Sequence, residues 1–296
     1  MLVRHSLSLT LSNMQLVFKV LLYALLIVVI GSALVVTIAS PILDAIGETI
    51  NVEEYVDHFV DNILKGDGAV FESIITAVDH FADTHPGELI KVGVLALIVA
   101  FVVKLMFALI VCPVGYILNN KMATNFTEGF FHSVMVIGWK GVLMALVYTL
   151  ISFPIDVLIV VGAFFLGKWM VQGIGLFGMI FAVAVGLVLL TLRMSAMGQL
   201  VPTLVNENLK FTLQFKRGFK QGLKIMHKIF PAMLTLNILA FGIITTTLIP
   251  TFMIIPIVAV PMILVGYTCI HLIAYYQAND KSYYIDELVI ENKKEA

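Results

Sequence analysis

The sequence predicts an all-α membrane protein, a bundle of six transmembrane helices arranged as three related hairpins, with amphipathic helices at the membrane surface. Hydrophobic residues make up 60% of the 296 residues and charged residues 12%, and the mean hydropathy is +1.02. This balance is typical of membrane proteins rather than of water-soluble domains. Six apolar runs are long enough to cross the hydrocarbon, which takes about 20 residues. Part of the sequence also occurs twice, which indicates a duplicated unit.

The six apolar runs are the predicted spans, and residues 1–296 are expected to form a single transmembrane domain. A secretory signal peptide is the alternative for the first run, but the run exceeds the roughly 7–15 apolar residues of a signal peptide. Prolines are expected to kink or end the helices, because proline has no N–H to donate; they are Pro154, Pro250, Pro256 and Pro261. The spans are placed at 19–40, 91–112, 140–162, 173–195, 231–250 and 254–277.

Charge is segregated along the chain, and this predicts the orientation of the spans. Residues 41–90 are rich in Asp and Glu, with Lys65 as their only Lys or Arg, whereas residues 196–230 are rich in Lys and Arg, with Glu207 as their only acid. Short basic loops stay on the cytoplasmic side. We therefore expect both termini in the cytoplasm of a bacterial cell, and residues 41–90 as an acidic insertion outside the cytoplasmic membrane.

The acidic insertion is predicted to contain two amphipathic helices that form a lid. Each helix carries an Asp-His-Phe-x-Asp sequence, in which the two aspartates lie on one helical face beside the histidine. Oxygen and imidazole groups arranged in this way can bind a divalent cation. A solvated acidic surface without any metal is the alternative. The candidate ligands are Asp57, His58 and Asp61 in the first helix and Asp79, His80 and Asp83 in the second.

The internal repeat aligns residues 113–130 with residues 202–219 without a gap. Six of the 18 positions are identical: Pro113 and Pro202, Asn119 and Asn208, Lys121 and Lys210, Phe126 and Phe215, Gly129 and Gly218, Phe130 and Phe219. The repeating unit is an amphipathic segment, an outward span and a returning span, and the amino terminus resembles a third copy. Hairpins with the same orientation would be related by an axis along the membrane normal.

Extending the repeat alignment places Lys104 opposite Arg193, near the cytoplasmic ends of the second and fourth spans, and a weaker alignment adds His271. Ionisable residues within spans are candidates for function because they are costly to bury in lipid. Three cations around a shared axis would bind an anionic headgroup, with Arg bidentate and Lys as a point charge. The alternative is that each side chain extends to the cytoplasmic interface.

Asp156 is the only acidic residue within the predicted spans, and we place it near the outer end of the third span. Carboxylates within spans relay protons or bind cations in transporters. The alternative is that Asp156 marks the point at which the helix meets water.

The sequence lacks the motifs of the common enzyme classes. It has no phosphate-binding loop of the Walker type, no His-Glu-x-x-His zinc helix and no nucleophile elbow. We therefore expect a protein that is not an enzyme, needs no cofactor and does not bind nucleic acid.

The segment around 193–222 resembles a known group of proteins. A charged residue, Arg193, ends a span, Pro202 and Glu207 follow, and an amphipathic segment with Gly218 and Gly222 precedes the next span. This spacing resembles the broad bacterial superfamily of six-span proteins that includes the membrane domain of some glycerophosphodiester phosphodiesterases. The resemblance covers mostly residues 100–250. It does not include the catalytic barrel, so it does not imply phosphodiester hydrolysis, and the long acidic loop departs from the usual short one.

Two functions remain open at this point. The first is binding or transport of an anionic or amphipathic small molecule or a lipid, which predicts a cavity bordered by the intramembrane cations. The second is a structural or regulatory role as a subunit of a larger membrane assembly, which predicts tight packing without a cavity. The expected partners are membrane lipids in the first case and other membrane protein subunits in the second.

Overall fold

The computed structural model describes residues 2–47, 86–247, 254–286 and 289–291. The helices are α1 (Leu2–Ser12), α2 (Met14–Gly47), α3 (Pro86–Thr124), α4 (Phe130–Ile174), α5 (Leu176–Met197), α6 (Leu200–Asn206), α7 (Phe211–Thr247) and α8 (Ile254–Ala278). Two short strands follow, β1 (Tyr283–Asp286) and β2 (Val289–Glu291).

The prediction of an all-α bundle with six spans is confirmed. Within the described residues, six helices are long and apolar enough to cross a membrane. Four of the six are longer than the predicted spans, because backbone hydrogen bonding along a helix does not stop where the hydrocarbon ends. The apolar stretches cover Met14–Leu34, Ile90–Thr124, Phe130–Ile174, Phe177–Asn206, Phe211–Thr247 and Ile255–Ala278.

The third and fourth spans, placed at 140–162 and 173–195, are separated by fewer residues in the structure. Helix α4 continues to Ile174, and a turn at Gly175 leads directly into α5. Gly175 has a φ of 58°, a conformation that glycine adopts without the steric cost of a Cβ. The connection between the two helices is therefore much shorter than the spacing of the apolar runs indicated.

The prolines expected to kink or end helices are not at helix ends where the structure describes them. Pro154 and Pro261 are inside α4 and α8, Pro256 is in the first turn of α8, and Pro250 lies outside the described residues. The residue with non-helical φ/ψ inside α4 is Gly138, with φ 48° and ψ −136°. Gly138 separates residues 130–137 from the long span that follows.

Helix α1 was not predicted from the sequence. Ser6, Leu9 and Thr10 form its buried face, and it packs on α8 and β1. The Ser6 hydroxyl donates to the Gly266 backbone carbonyl at 2.9 Å, and His5 Nδ1 lies 3.1 Å from the Tyr283 hydroxyl. The amino-terminal segment therefore contributes to the packed core.

The carboxy-terminal strands add a small antiparallel pair to the helical fold. Tyr283 and Ile285 in β1 are buried. The sequence signal is a run of aromatic and β-branched residues after Asn279, a composition that favours strands. Such a short run was not distinguishable from a cytoplasmic tail by periodicity.

The described residues fall into two compact units. The first consists of residues up to 27, 104–159 and those from 187 onward, and it contains every candidate intramembrane residue discussed below. The second consists of 28–103 and 160–186, as far as these are described. In the second unit, Gly186 lies close to the Ala163 side chain, so α4 and α5 approach each other through small residues there.

The helix boundaries differ between the two aligned segments. Asn119 lies within α3, whereas the aligned Asn208 lies between α6 and α7. The internal repeat, as a duplicated unit that forms three related hairpins, remains a prediction.

The acidic insertion was predicted at 41–90, but residues 41–47 continue α2 and residues 86–90 begin α3. The intervening residues, with the predicted lid helices, lie outside the described residues.

Candidate functional site

The intramembrane charges form one cluster in the first unit. Lys104 of α3 pairs with Asp156 Oδ2 of α4. Arg193 of α5 reaches the same carboxylate: its Nη2 lies 2.8 Å from Oδ1 and donates to Oδ2 at 3.0 Å. One carboxylate is therefore shared by two cations on neighbouring helices.

The structure adds Asp156 to the two cations. Lys104 lies near the middle of α3, Arg193 lies near the end of α5, and Asp156 lies midway between Gly138 and Ile174 of α4. The Asp156 carboxylate lies within hydrogen-bonding distance of both cations. The expected positions of Lys104 near the cytoplasmic end and of Asp156 near the outer end of their spans stay predictions.

Tyr148 completes the cluster and was missed by sequence reasoning. Arg193 Nη1 donates to the Tyr148 hydroxyl at 2.6 Å, and Arg193 Cζ lies 5.9 Å from the centre of the Tyr148 ring. Lys104 Nζ is 5.9 Å from the centres of both the Tyr148 and the Phe153 rings. Aromatic faces at this distance attract cations. In the sequence, Tyr148 lies about two helical turns before Asp156, a spacing that places both on one face of a helix.

The cluster is largely removed from solvent. The side chains of Lys104 and Asp156 are 19% and 20% exposed, and that of Arg193 is 11% exposed. The Arg193 Nε atom is buried without a hydrogen-bond partner among the described residues. The site thus holds two formally positive groups and one formally negative group in a mostly apolar environment.

A cavity of about 380 Å³ adjoins this cluster. Its size falls within the range of about 300–1,000 Å³ found for small-molecule sites. Lys104 and Tyr148 line it, and most of the other lining residues are apolar. These include Phe107, Ala108 and Val111 of α3, Met144 and Ala145 of α4, Met197 of α5, Ala240 and Ile244 of α7, and Val260, Ile263 and Leu264 of α8.

Buried polar side chains hold three of the surrounding helices together. Asn237 Nδ2 of α7 donates to the Thr191 hydroxyl of α5 at 2.6 Å, and the Tyr267 hydroxyl of α8 donates to Asn237 Oδ1. Tyr267 also lines the cavity. This network stabilises one side of the cavity, because polar groups are costly to leave unpaired in lipid.

His271 does not join the charged cluster. It lines the same cavity but packs against Gly198, which lies more than one helical turn beyond Arg193. The contact is so close that a Cβ at position 198 would overlap the imidazole ring of His271. The Gln199 side chain donates to the backbone carbonyl of His271 at 3.0 Å. The Nδ1 atom of His271 is buried without a hydrogen-bond partner among the described residues. His271 therefore borders the same cavity as Lys104, and the expected common depth of Lys104, Arg193 and His271 stays a prediction.

The candidate metal ligands Asp57, His58, Asp61, Asp79, His80 and Asp83 lie outside the described residues. Within the described part of the chain, no group of three or more His, Cys, Asp or Glu side chains is placed to hold a metal ion.

Comparisons of this chain with protein-family models, with curated proteins and with solved structures found no match. The resemblance to the six-span superfamily therefore remains a prediction from spacing, and the function has to be argued from the cavity and its charged border.

Proposed function

We propose that this membrane protein binds an amphipathic molecule carrying a negative charge, and holds it in the membrane or moves it across the membrane without chemical change. The ligand's apolar part would occupy the cavity, and its charged group would lie beside Lys104. A lipid or fatty acid of a bacterial cytoplasmic membrane is the kind of molecule this site fits.

The observation that carries this proposal is the chemistry of the cavity lining. Lys104 and Tyr148, whose side chains end in an ammonium group and a hydroxyl, are among the lining residues, and most of the other lining residues are apolar. Sites for small molecules combine an apolar lining with a few placed polar groups in this way. A purely structural subunit has no need to keep such a space open, because helices gain stability by close packing.

An excess of formal positive charge among the described residues supports the same proposal. Two cations share one carboxylate, and an excess positive charge within a span is costly unless it is paired. An anionic ligand beside Lys104 would supply the missing partner. The cluster therefore attracts an anion without a change in its own architecture.

The proposal is tested by identifying the lipids and small molecules that copurify with the protein in native membrane discs, using mass spectrometry. We expect an enriched amphipathic anion that is reduced at least severalfold in Ala145→Phe and Ala240→Phe, because both changes fill the cavity. Ala96→Phe is the matched control, since Ala96 is exposed on α3.

Equal retention of the same compounds by the wild type and by both folded cavity-filling variants would overturn the proposal. Recovery of a stoichiometric protein partner with no enriched ligand would favour the alternative role as a subunit of a membrane assembly.

A further inference from the structure

We infer that the ligand's headgroup carries a single negative charge, as in a carboxylate or a phosphodiester, and that the protein discriminates against both uncharged and doubly charged headgroups. This inference rests on the proposed function and adds to it the charge class of the ligand.

The charge count is the first step. Lys104 and Arg193 are bound to the same carboxylate, that of Asp156. Asp156 is the only Asp or Glu in the sequence between Glu128 and Glu207, and α7 and α8 contain none. Counted over the described residues, the cluster therefore carries one formal positive charge in excess.

The second step is that Lys104 belongs both to the cluster and to the cavity lining. Arg193 is occupied by Asp156 and by the Tyr148 hydroxyl, which accepts its Nη1 hydrogen bond. A tyrosine hydroxyl that accepts one bond still has its own hydrogen to donate. Lys104 and Tyr148 thus offer two donors toward the cavity, which suits one oxyanion.

The third step is the energetic cost of net charge in this environment. Desolvated charges are stable only when they are paired. One negative charge from the ligand makes the cluster neutral, whereas an uncharged ligand leaves one positive charge and a dianion leaves one negative charge. Both mismatches bury an unpaired charge, so a singly charged headgroup is favoured.

The test is a set of four amphiphiles that share one alkyl chain and differ only in the headgroup: an alcohol, a carboxylate, a methyl phosphodiester and a phosphate monoester. Titration at pH 8 keeps the monoester doubly charged, because its second pKa is near 6. We expect the carboxylate and the phosphodiester to bind the purified protein about tenfold or more tightly than the alcohol and the monoester, a difference of about 1.4 kcal/mol. Acetate, which has the charge but no chain, is expected not to compete.

Two variants change the excess positive charge of the cluster in opposite directions. Asp156→Asn raises the formal excess to two positive charges, so the monoester is expected to become the tightest ligand. Lys104→Gln removes the excess, so the alcohol is expected to bind at least as well as the carboxylate. Lys140→Gln is the matched control, because Lys140 is an exposed base on α4, and it is expected to keep the wild-type preference.

The outcomes separate this inference from the function on which it rests. Tightest binding of the monoester by the wild type, or equal binding of all four amphiphiles, would overturn the charge selection while leaving amphiphile binding intact. Failure of all four to bind the folded wild type would count against both. If Asp156→Asn does not fold, the wild-type series and Lys104→Gln still decide the question.

Discussion

Asp156 connects three helices through a single side chain. Its Oδ2 accepts hydrogen bonds from Lys104 of α3 and Arg193 of α5, while Asp156 itself belongs to α4. Loss of the carboxylate would leave two cations close together without a counterion. At the scale of single residues, this carboxylate is therefore the group on which the charged site depends.

Replacing Asp156 with Ala is expected to lower the free energy of unfolding by roughly 3 kcal/mol, at the lower end of the cost of breaking a buried ion pair because the side chain is partly exposed. Tyr148→Phe removes one hydrogen bond and is expected to cost about 1 kcal/mol. A thiol-reactive dye can follow unfolding in detergent, because Cys112 and Cys269 are both free and buried. An Asp156→Ala protein as stable as Tyr148→Phe would contradict this account of the cluster.

At the scale of helices, two glycines shape the scaffold around the site in different ways. Gly138 sets the backbone direction at the start of the long span of α4. Gly222 sets how closely α7 approaches α5, since a Cβ at this position would overlap the backbone carbonyl oxygen of Ala196. The first effect is one of backbone conformation and the second is one of packing.

Gly138→Ala is expected to destabilise the protein by about 1–3 kcal/mol, because φ 48° with ψ −136° is strained for any residue with a Cβ. Gly162→Ala is the matched control on the same helix. A Cβ has open space at both positions, so a difference between the two variants isolates backbone strain. The same dye assay measures both, and equal stabilities would show that Gly138 does not hold this conformation.

Gly222→Ala is expected to cost about 1–3 kcal/mol, because the new methyl group forces α7 away from α5 in a packed core. Gly242→Ala, on the same helix, meets no atom within 4 Å and is expected to be neutral or slightly stabilising, since alanine favours helices over glycine. If Gly222→Ala unfolds at the same temperature as Gly242→Ala, the close contact between α7 and α5 is not present in the protein.

The sequence was informative about which residues matter and less so about where they meet. Hydropathy predicted the six spans, the repeat alignment placed Lys104 near Arg193, and the cost of charge in lipid singled out Asp156 separately. The pairing of Asp156 with the two cations was missed because Asp156 was expected near the outer end of its span and the cations near the cytoplasmic ends of theirs. The cavity is lined by residues of six helices, α3 to α8, and no periodicity within one helix reveals it.

For the whole molecule, the distribution of Lys and Arg predicts that the segment 196–230 faces the cytoplasm. Single cysteines introduced at Lys220 and at Gln172 test this, because both positions are exposed and the native cysteines are buried. A membrane-impermeant maleimide is expected to label Gln172→Cys in intact cells and Lys220→Cys only after lysis. The reverse pattern would invert the orientation.

The central claim is that the cavity beside Lys104 holds the apolar part of an anionic amphiphile. The most direct measurement is photo-crosslinking with a fatty acid that carries a diazirine near the end of its chain, followed by mass-spectrometric mapping of the labelled residues. We predict labelling at the cavity-lining residues Cys112, Met144 and Met197, and loss of this labelling in Ala145→Phe. Labelling confined to surface positions such as Ile98, unchanged in Ala145→Phe, would contradict the claim.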